Sequence, residues 1–258
     1  MSILDRLVRE AAAQTEERRA RVPEAELRRI VAALPPTRDL AAALMRAGFA
    51  VIAEMKARSP SGGVLCAEYS PARLAATYAA GGAAAISVLA QEASFGGRPE
   101  HLAEARAAVD LPILRKDFVT DEYQVLEARA FGADAVLLIA AVLSPARLFD
   151  LLEFARALDL QALVEVHDGE EVEAARAAGA RVIGVNHRDL RTLAVDIGLT
   201  AQLRRLIPDD TIMVAESGIA GREDAHRLRE AGADAILVGE ALLRSSDPAA
   251  KVRELATA

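Results

Sequence analysis

Cysteine, an excess of positive charge and long apolar runs are what this chain of 258 residues has little of. The single cysteine, Cys66, excludes an internal disulfide and a multi-cysteine metal site; a lone thiol in a loop is read as a bystander in a reducing compartment. A net charge of -7 supplies no field for nucleic acid or an anionic membrane, so an anionic ligand needs cations placed locally. No stretch approaches the ~18 consecutive apolar residues of a membrane span. Residues 1–21 are dense in both Arg and Glu and lack an apolar centre. Neither a signal nor a transit peptide is expected there, and the expected location is cytoplasmic. No G-x-G-x-x-G or P-loop follows the first strand-like run, and no His-Cys-carboxylate cluster suggests a metal.

What the chain does have is a regular alternation. Charged residues make up 27% and hydrophobic ones 52%, and the length lies near the ~250 of one α/β barrel, so a single domain over 1–258 is expected. Its first 48 residues read as a helical extension. Ser2 can cap a helix carrying Ile3, Leu4, Leu7, Val8, Ala11 and Ala12; Leu27, Ile30, Val31 and Leu34 continue until Pro35-Pro36; a third short helix from near Thr37 carries Leu40, Leu44 and Met45 to Gly48. Apolar runs then recur at 51–55, 84–89, 112–114, 135–139, 162–164, 182–185, 212–215 and 235–238. Helical stretches separate them, several closing on a repeated phrase such as Ala130-Phe131-Gly132-Ala133-Asp134 or Ala231-Gly232-Ala233-Asp234. Gly there stops the helix and returns the chain to a strand. The rhythm predicts a (β/α)8 TIM barrel, in the α/β class, with an N-terminal helical extension.

In such a barrel the site forms at the carboxyl ends of the strands. Period-two alternation puts Glu54 and Lys56 on one face at the end of the first strand. Others end in Arg115-Lys116-Asp117-Phe118, Glu165-Val166-His167, Asn186-His187-Arg188-Asp189, Glu216-Ser217-Gly218 and Gly239-Glu240. Any one of these could be an ordinary solvated strand end. Charges aimed together at one mouth would be costly without pairing or ligands. Gly-containing turns after the last two strands match the recurring phosphate site of these barrels, which implies a phosphorylated small-molecule substrate.

Six ordered segments carry a resemblance: I-A-E-M-K-A-R-S-P-S, L-R-K-D-F, L-V-E-V-H, V-N-H-R-D-L, V-A-E-S-G-I and L-V-G-E-A-L. Over about residues 50–243 they resemble the indole-3-glycerol phosphate synthase family of tryptophan biosynthesis. The resemblance implies ring closure with decarboxylation and dehydration of 1-(2-carboxyphenylamino)-1-deoxyribulose 5-phosphate. By the same match Lys116 is the general acid, Glu165 its acid-base partner, Lys56 meets the anionic substrate and Glu54 positions it. A Lys beside Arg115 and near Lys56 is expected to have a lowered pKa. Asn186, Arg188, Glu216, Ser217, Leu89 and Phe95 correspond to the substrate pocket; Ser59, Gly218, Gly239 and Glu240 to the phosphate cup. No metal and no cofactor are implied, and a monomer or weak homo-oligomer is expected.

The segment after the second strand departs from the family pattern, which usually reads S-V-L-T, an acid and then an aromatic pair before G-S: Ala90, Gln91, Ser94 and Arg98 are unexpected there. That departure bears on affinity, loop ordering and substrate choice. His187 is read as a neighbour rather than an acid, and His101, His167 and His226 as surface or supporting groups. Two other readings stand beside the synthase: a different phosphate-binding barrel enzyme, and a barrel that keeps the phosphate cup with altered substrate or little turnover.

Overall fold

The computed structural model describes residues 2–46, 48–59, 62–66, 68–189 and 192–258; Pro60, Ser61 and Leu190 of the family-like segments lie outside them. Three helices come first. α1 (Ile3–Arg21) starts at a reciprocal Ser2/Asp5 capping box and ends with Arg18, Arg19 and Arg21 against its negative pole. α2 (Glu24–Val31) packs Leu27 against Tyr123 and Leu126. α3 (Leu40–Leu44) begins later than the expected start near Thr37, because Asp39 is the cap and accepts from Ala42 N at 2.9 Å. Thr37 N instead donates to Asp159 Oδ2 at 3.1 Å, pinning the segment after Pro35-Pro36 to the barrel.

Among the described residues eight parallel strands close the barrel: β1 (Ala50–Met55), β2 (Ala85–Leu89), β3 (Ile113–Lys116), β4 (Ala135–Ile139), β5 (Gln161–Val166), β6 (Val182–Asn186), β7 (Ile212–Glu216) and β8 (Ala235–Val238), with β1 pairing both β2 and β8. Helices α4 (Pro71–Ala80), α5 (Glu92–Phe95), α6 (Glu100–Ala108), α7 (Glu122–Ala130), α8 (Pro145–Ala157), α9 (Gly169–Ala177), α10 (Leu199–Arg204), α11 (Arg222–Glu230), α12 (Glu240–Leu243) and α13 (Pro248–Ala256) complete the units. At the repeated helix-to-strand phrase, Gly82, Gly132, Gly179 and Gly232 all take positive φ, as their position in the sequence predicts. An antiparallel pairing of Arg58–Ser59 with Gly63–Val64 over the mouth was not foreseen.

Strand alternation divides the core in two. One alternating set, which includes Val51, Ala53, Ile86, Val88, Ile113 and Val164, faces the helices. The others, Ile52, Ala85, Leu114, Leu137, Leu163, Val214 and Leu237, fill the barrel interior. The interior is closed at its amino-terminal end by Leu40 and Leu44 of α3, where Ala41 N donates to Gln161 Oε1 at 2.8 Å. Leu4, Leu7 and Ala11 of α1 join the same cluster with Phe118 and Ile139, toward the carboxyl ends of the strands. The extension thus plugs one end and crosses the other. Several strands run past their expected limits, β3 to Lys116 and β5 to Val166, because Lys116 still pairs with Leu89 and Val166 with Val185.

Candidate active site

The side chains that alternation sends inward at the strand ends meet in one cavity of about 640 Å³ at the mouth. Glu54, Lys56, Lys116, Glu165, Asn186 and Glu216 form its floor; Leu89, Phe95, Arg188, Ser217, Ser59, Gly218, Gly239 and Glu240 also line it. Every site residue expected from the sequence is therefore on its wall. Four strands supply the acids and lysines and a fifth supplies Asn186, and two inward-facing glycines make room for them. A Cβ on Gly184 would overlap Glu216 Oε1, and one on Gly239 would overlap Glu54 Oε1.

Lys116 Nζ donates to Glu165 Oε2 at 2.9 Å and to Glu216 Oε2 at 2.7 Å. Lys56 Nζ lies 2.5 Å from Glu54 Oε1. The expected lowering of the Lys116 pKa is overturned. Burial does oppose its charge, but Glu165, Glu216 and Glu54 outweigh it and raise the pKa above that of a free lysine. Arg115, invoked as a repelling neighbour, points out of the barrel and is sealed between Asp117 and Glu127 at 2.8 Å from each. Adjacent residues on a strand do not share a face.

The two acids on Lys116 are driven apart. Burial raises both, yet in Glu165 the ammonium of Lys116, with His167 and Asn186 adding to it, brings the pKa below the ordinary carboxylate value. In Glu216 burial prevails over Lys116, the charge on Glu165 adds to it, and the pKa rises to about 7. Such a pair holds one carboxylate ionised beside one that takes and gives a proton near neutrality. Glu165 Oε1 and Glu216 Oε1 are buried without a hydrogen-bond partner. Polar atoms left open in this way mark where a ligand completes the network.

The cavity has two differing ends. Ser59, Ser217, Gly218, Gly239 and Glu240 lie at the polar one with Arg244 and Lys251, which sequence reasoning missed. Arg244 Nε donates to Glu240 Oε1 at 2.8 Å, one helical turn away, a spacing visible in the sequence. Ser217 holds φ 69 and Gly218 φ 74, so the backbone after β7 arches in the left-handed region, a strained conformation for serine. His187 supports the arch: its Nδ1 donates to Ser217 O at 2.9 Å while Nε2 accepts from Thr200 Oγ1 at 2.7 Å. Burial lowers its pKa, which suits this neutral form and its reading as a neighbour. Arg188 reaches the cavity wall and donates to the Leu193 carbonyl at 3.3 Å.

Ile3, Leu7, Leu89, Phe95 and Phe118 make the apolar end. Ile3 and Leu7 were missed, since an apolar stripe on a helix does not say which surface covers it. Among the remaining histidines, His226 is exposed, His101 packs its ring on Tyr69 with centroids 5.1 Å apart, and His167 Nε2 donates to Arg188 O at 2.9 Å. Burial opposes charge on His167, but Glu171, Glu165 and the Arg188 carbonyl raise its pKa to about 9. The described residues hold no cluster of His, Cys, Asp and Glu fit for a metal ion, and no helix long and apolar enough to cross a membrane.

Comparison with known proteins accords with this geometry. Solved structures similar in fold include a 3-hexulose-6-phosphate synthase, TM-score 0.64 at 17% identity over 80% of this chain and 98% of that one, and an N-acetylmannosamine-6-phosphate 2-epimerase from Clostridium perfringens, TM-score 0.61 at 18% identity over 77% and 88%. At those identities the likeness concerns the fold alone. In sequence the chain is 58% identical to indole-3-glycerol phosphate synthase 2 of Streptomyces coelicolor, over 98% of each chain, and 51% identical to indole-3-glycerol phosphate synthase of a Nocardioides species, over 99% of this chain and 98% of that one. A family model described as indole-3-glycerol phosphate synthase matches residues 4–255, and with these relatives spanning nearly its whole length the chain belongs to the indole-3-glycerol phosphate synthase family.

Proposed function

We propose that the mouth cavity closes the indole ring of 1-(2-carboxyphenylamino)-1-deoxyribulose 5-phosphate, with Lys116 as general acid and Glu165 as its acid-base partner. The family makes the chain a carboxy-lyase of tryptophan biosynthesis. The residue roles are carried by one observation: a buried lysine held charged between two carboxylates, each with an open oxygen, midway between a polar and an apolar end. As the ring carbon bonds to the substrate carbonyl carbon, the carbonyl oxygen becomes an alkoxide more basic than an ammonium. Lys116, charged throughout the neutral range, gives it a proton. The carboxyl group then leaves as carbon dioxide, and its bonding pair restores the ring. In the dehydration the new hydroxyl departs as water with a proton from Lys56, while Glu165, ionised at neutral pH, takes the proton from the neighbouring carbon and returns it to the neutral Lys116 it touches; solvent recharges Lys56 with the one proton that loss of carbon dioxide from a carboxylate consumes.

Lys56, steadied by Glu54, and Arg188 bring positive charge to an anionic substrate. The phosphate rests on Ser59 and on the backbone at Gly218 and at Gly239-Glu240, with Arg244 and Lys251 beside it. Asn186, Glu216 and Ser217 hold the sugar portion, and Leu89 and Phe95 the ring. In this reading residues 1–258 act as one domain, a monomer or weak homo-oligomer in the cytoplasm, needing no metal, cofactor, membrane or nucleic acid. The test is to mix the purified chain with that substrate, without metal or nucleotide, and follow indole fluorescence. A signal from the parent chain that is lost in Lys116→Ala supports the assignment; equal signals from both remove Lys116 from the acid role.

A further inference from the structure

Ile3, Leu7, Glu10 and Gln14 lie three and four residues apart on α1 and so form one stripe along it. The first two face the cavity. The next two reach α5. Glu10 Oε2 accepts from Ser94 Oγ at 2.9 Å and from Gln91 Nε2 at 3.2 Å, and Gln14 Oε1 accepts from Glu92 N at 3.4 Å. Gln91 is buried, and its own Oε1 caps α5 by accepting from Ser94 N at 2.8 Å. One carboxylate thus holds both the cap and the third residue of a helix only four residues long, too short to be stable by itself. The residue after Ser94 is Phe95, whose ring lies 6.3 Å from that of Phe118 at the apolar end.

Two of the unusual residues after β2, Gln91 and Ser94, therefore share a partner, and it lies on the helix that covers the same end of the cavity. We propose that Glu10 is a specificity-determining positioning residue, which latches α1 to α5 and so sets the width of the apolar end that holds the substrate's aromatic ring. This rests on the ring-binding reading of Leu89 and Phe95 given above. Glu10 acts through Phe95 and Leu7, and touches no reacting atom. With the latch open, α5 and α1 part, ring contacts weaken, and a bulkier ring is admitted at less cost.

The experiment is steady-state kinetics of Glu10→Ala, Glu10→Gln, Ser94→Ala and Phe95→Ala, on the parent substrate and on one bearing a methyl group on its ring, with inorganic phosphate as competitive inhibitor. Two lost hydrogen bonds should raise KM about tenfold in Glu10→Ala and leave kcat within about threefold. Discrimination against the methylated substrate should shrink, and inhibition by phosphate should not change. Glu10→Gln, whose amide oxygen still accepts one bond, should recover part of the effect. Ser94→Ala added to Glu10→Ala should cost nothing more. If Phe95→Ala raises KM while Glu10→Ala changes neither KM nor discrimination, the latch is overturned and the ring site stands. If Phe95→Ala leaves KM unchanged, the ring site falls and the latch with it. A Glu10→Ala variant that loses kcat, KM and phosphate affinity alike would have a loosened fold, which also overturns the proposal.

Discussion

Two neighbouring cations on β3, one residue apart, are held by two carboxylates each and do opposite things. Arg115 is wholly buried outside the barrel, with Nη2 2.8 Å from Asp117, Nη1 2.8 Å from Glu127 and Nη1 also donating to Gln124 O at 2.9 Å. Its network continues through Glu127 to Arg18 of α1 at 2.7 Å and leaves no room for a ligand. Lys116 faces inward, and its two carboxylates each keep a buried oxygen unpartnered. A planar fork suits a closed network, whereas a single ammonium whose neighbours retain open acceptors suits a proton that must move. Burial and ion pairing are therefore common to both. What separates a wall from a site is whether the network is complete.

The largest effects should break the comparison from each side. Lys116→Ala is expected to lower kcat by about 10³-fold, measured by indole fluorescence, while phosphate affinity stays nearly intact. Arg115→Met should do the reverse. It leaves Asp117 buried without its cation and Glu127 with Arg18 alone, which costs about 3–5 kcal/mol of stability in urea unfolding, and turnover per folded molecule changes little. A large kcat loss in Arg115→Met at full stability would place Arg115 in the chemistry and erase the distinction.

A smaller effect sharpens the inward side alone. Gly184→Ala puts a methyl where Glu216 Oε1 now sits, with Leu163 on the other side. Overpacking of about 1–3 kcal/mol is expected, read by denaturation, together with a fall in turnover as Glu216 is pushed off Lys116. Gly179→Ala, in a helix-to-strand turn outside the barrel, carries a strain at φ 80 but no contact with the site. It should cost stability and leave kcat unchanged.

The inward face was legible because alternation needs only spacing of two. Glu54 with Lys56, and the polar ends of β3, β5, β6 and β7, could be placed in one mouth from the chain alone. The direction of the Lys116 pKa could not, because its acids lie 49 and 100 residues away, whereas the sequence offers Arg115, which faces the other way, and Lys56, which is paired with Glu54. For the same reason Ile3 and Leu7 were legible as apolar and illegible as cavity wall. Periodicity states that a face is covered, and the closure of the barrel decides by what. Within the segment from Ala90 to Arg98, the partners of Gln91, Glu92 and Ser94 are Glu10 and Gln14, which lie 78 to 84 residues earlier in the chain and which local spacing does not reveal.

The smallest expected effect concerns the slope of stability with pH, and it falls on the open side of the comparison. The Glu216 pKa is raised from the ordinary 4.5 to about 7 in the folded chain. Between those values the folded state binds the proton that the unfolded state has released, so this group's contribution is present below pH 4.5 and is lost as pH rises through about 7. Glu165, shifted down, works in the opposite sense: its contribution is present above the ordinary carboxylate value and is lost as pH falls through its lowered pKa. Glu165 acts below the ordinary carboxylate value, and His167, whose pKa of about 9 adds a decline of the same sign above pH 6.5, is common to the parent and to Glu216→Gln, so the difference between their curves from pH 5 to 7.5 belongs to Glu216. Urea midpoints of the parent chain should fall across that interval more steeply than those of Glu216→Gln, in which nothing at that position titrates. Parallel curves would mean that Glu216 stays ionised beside Lys116, and the two carboxylates on the lysine would then be alike in charge as well as in distance.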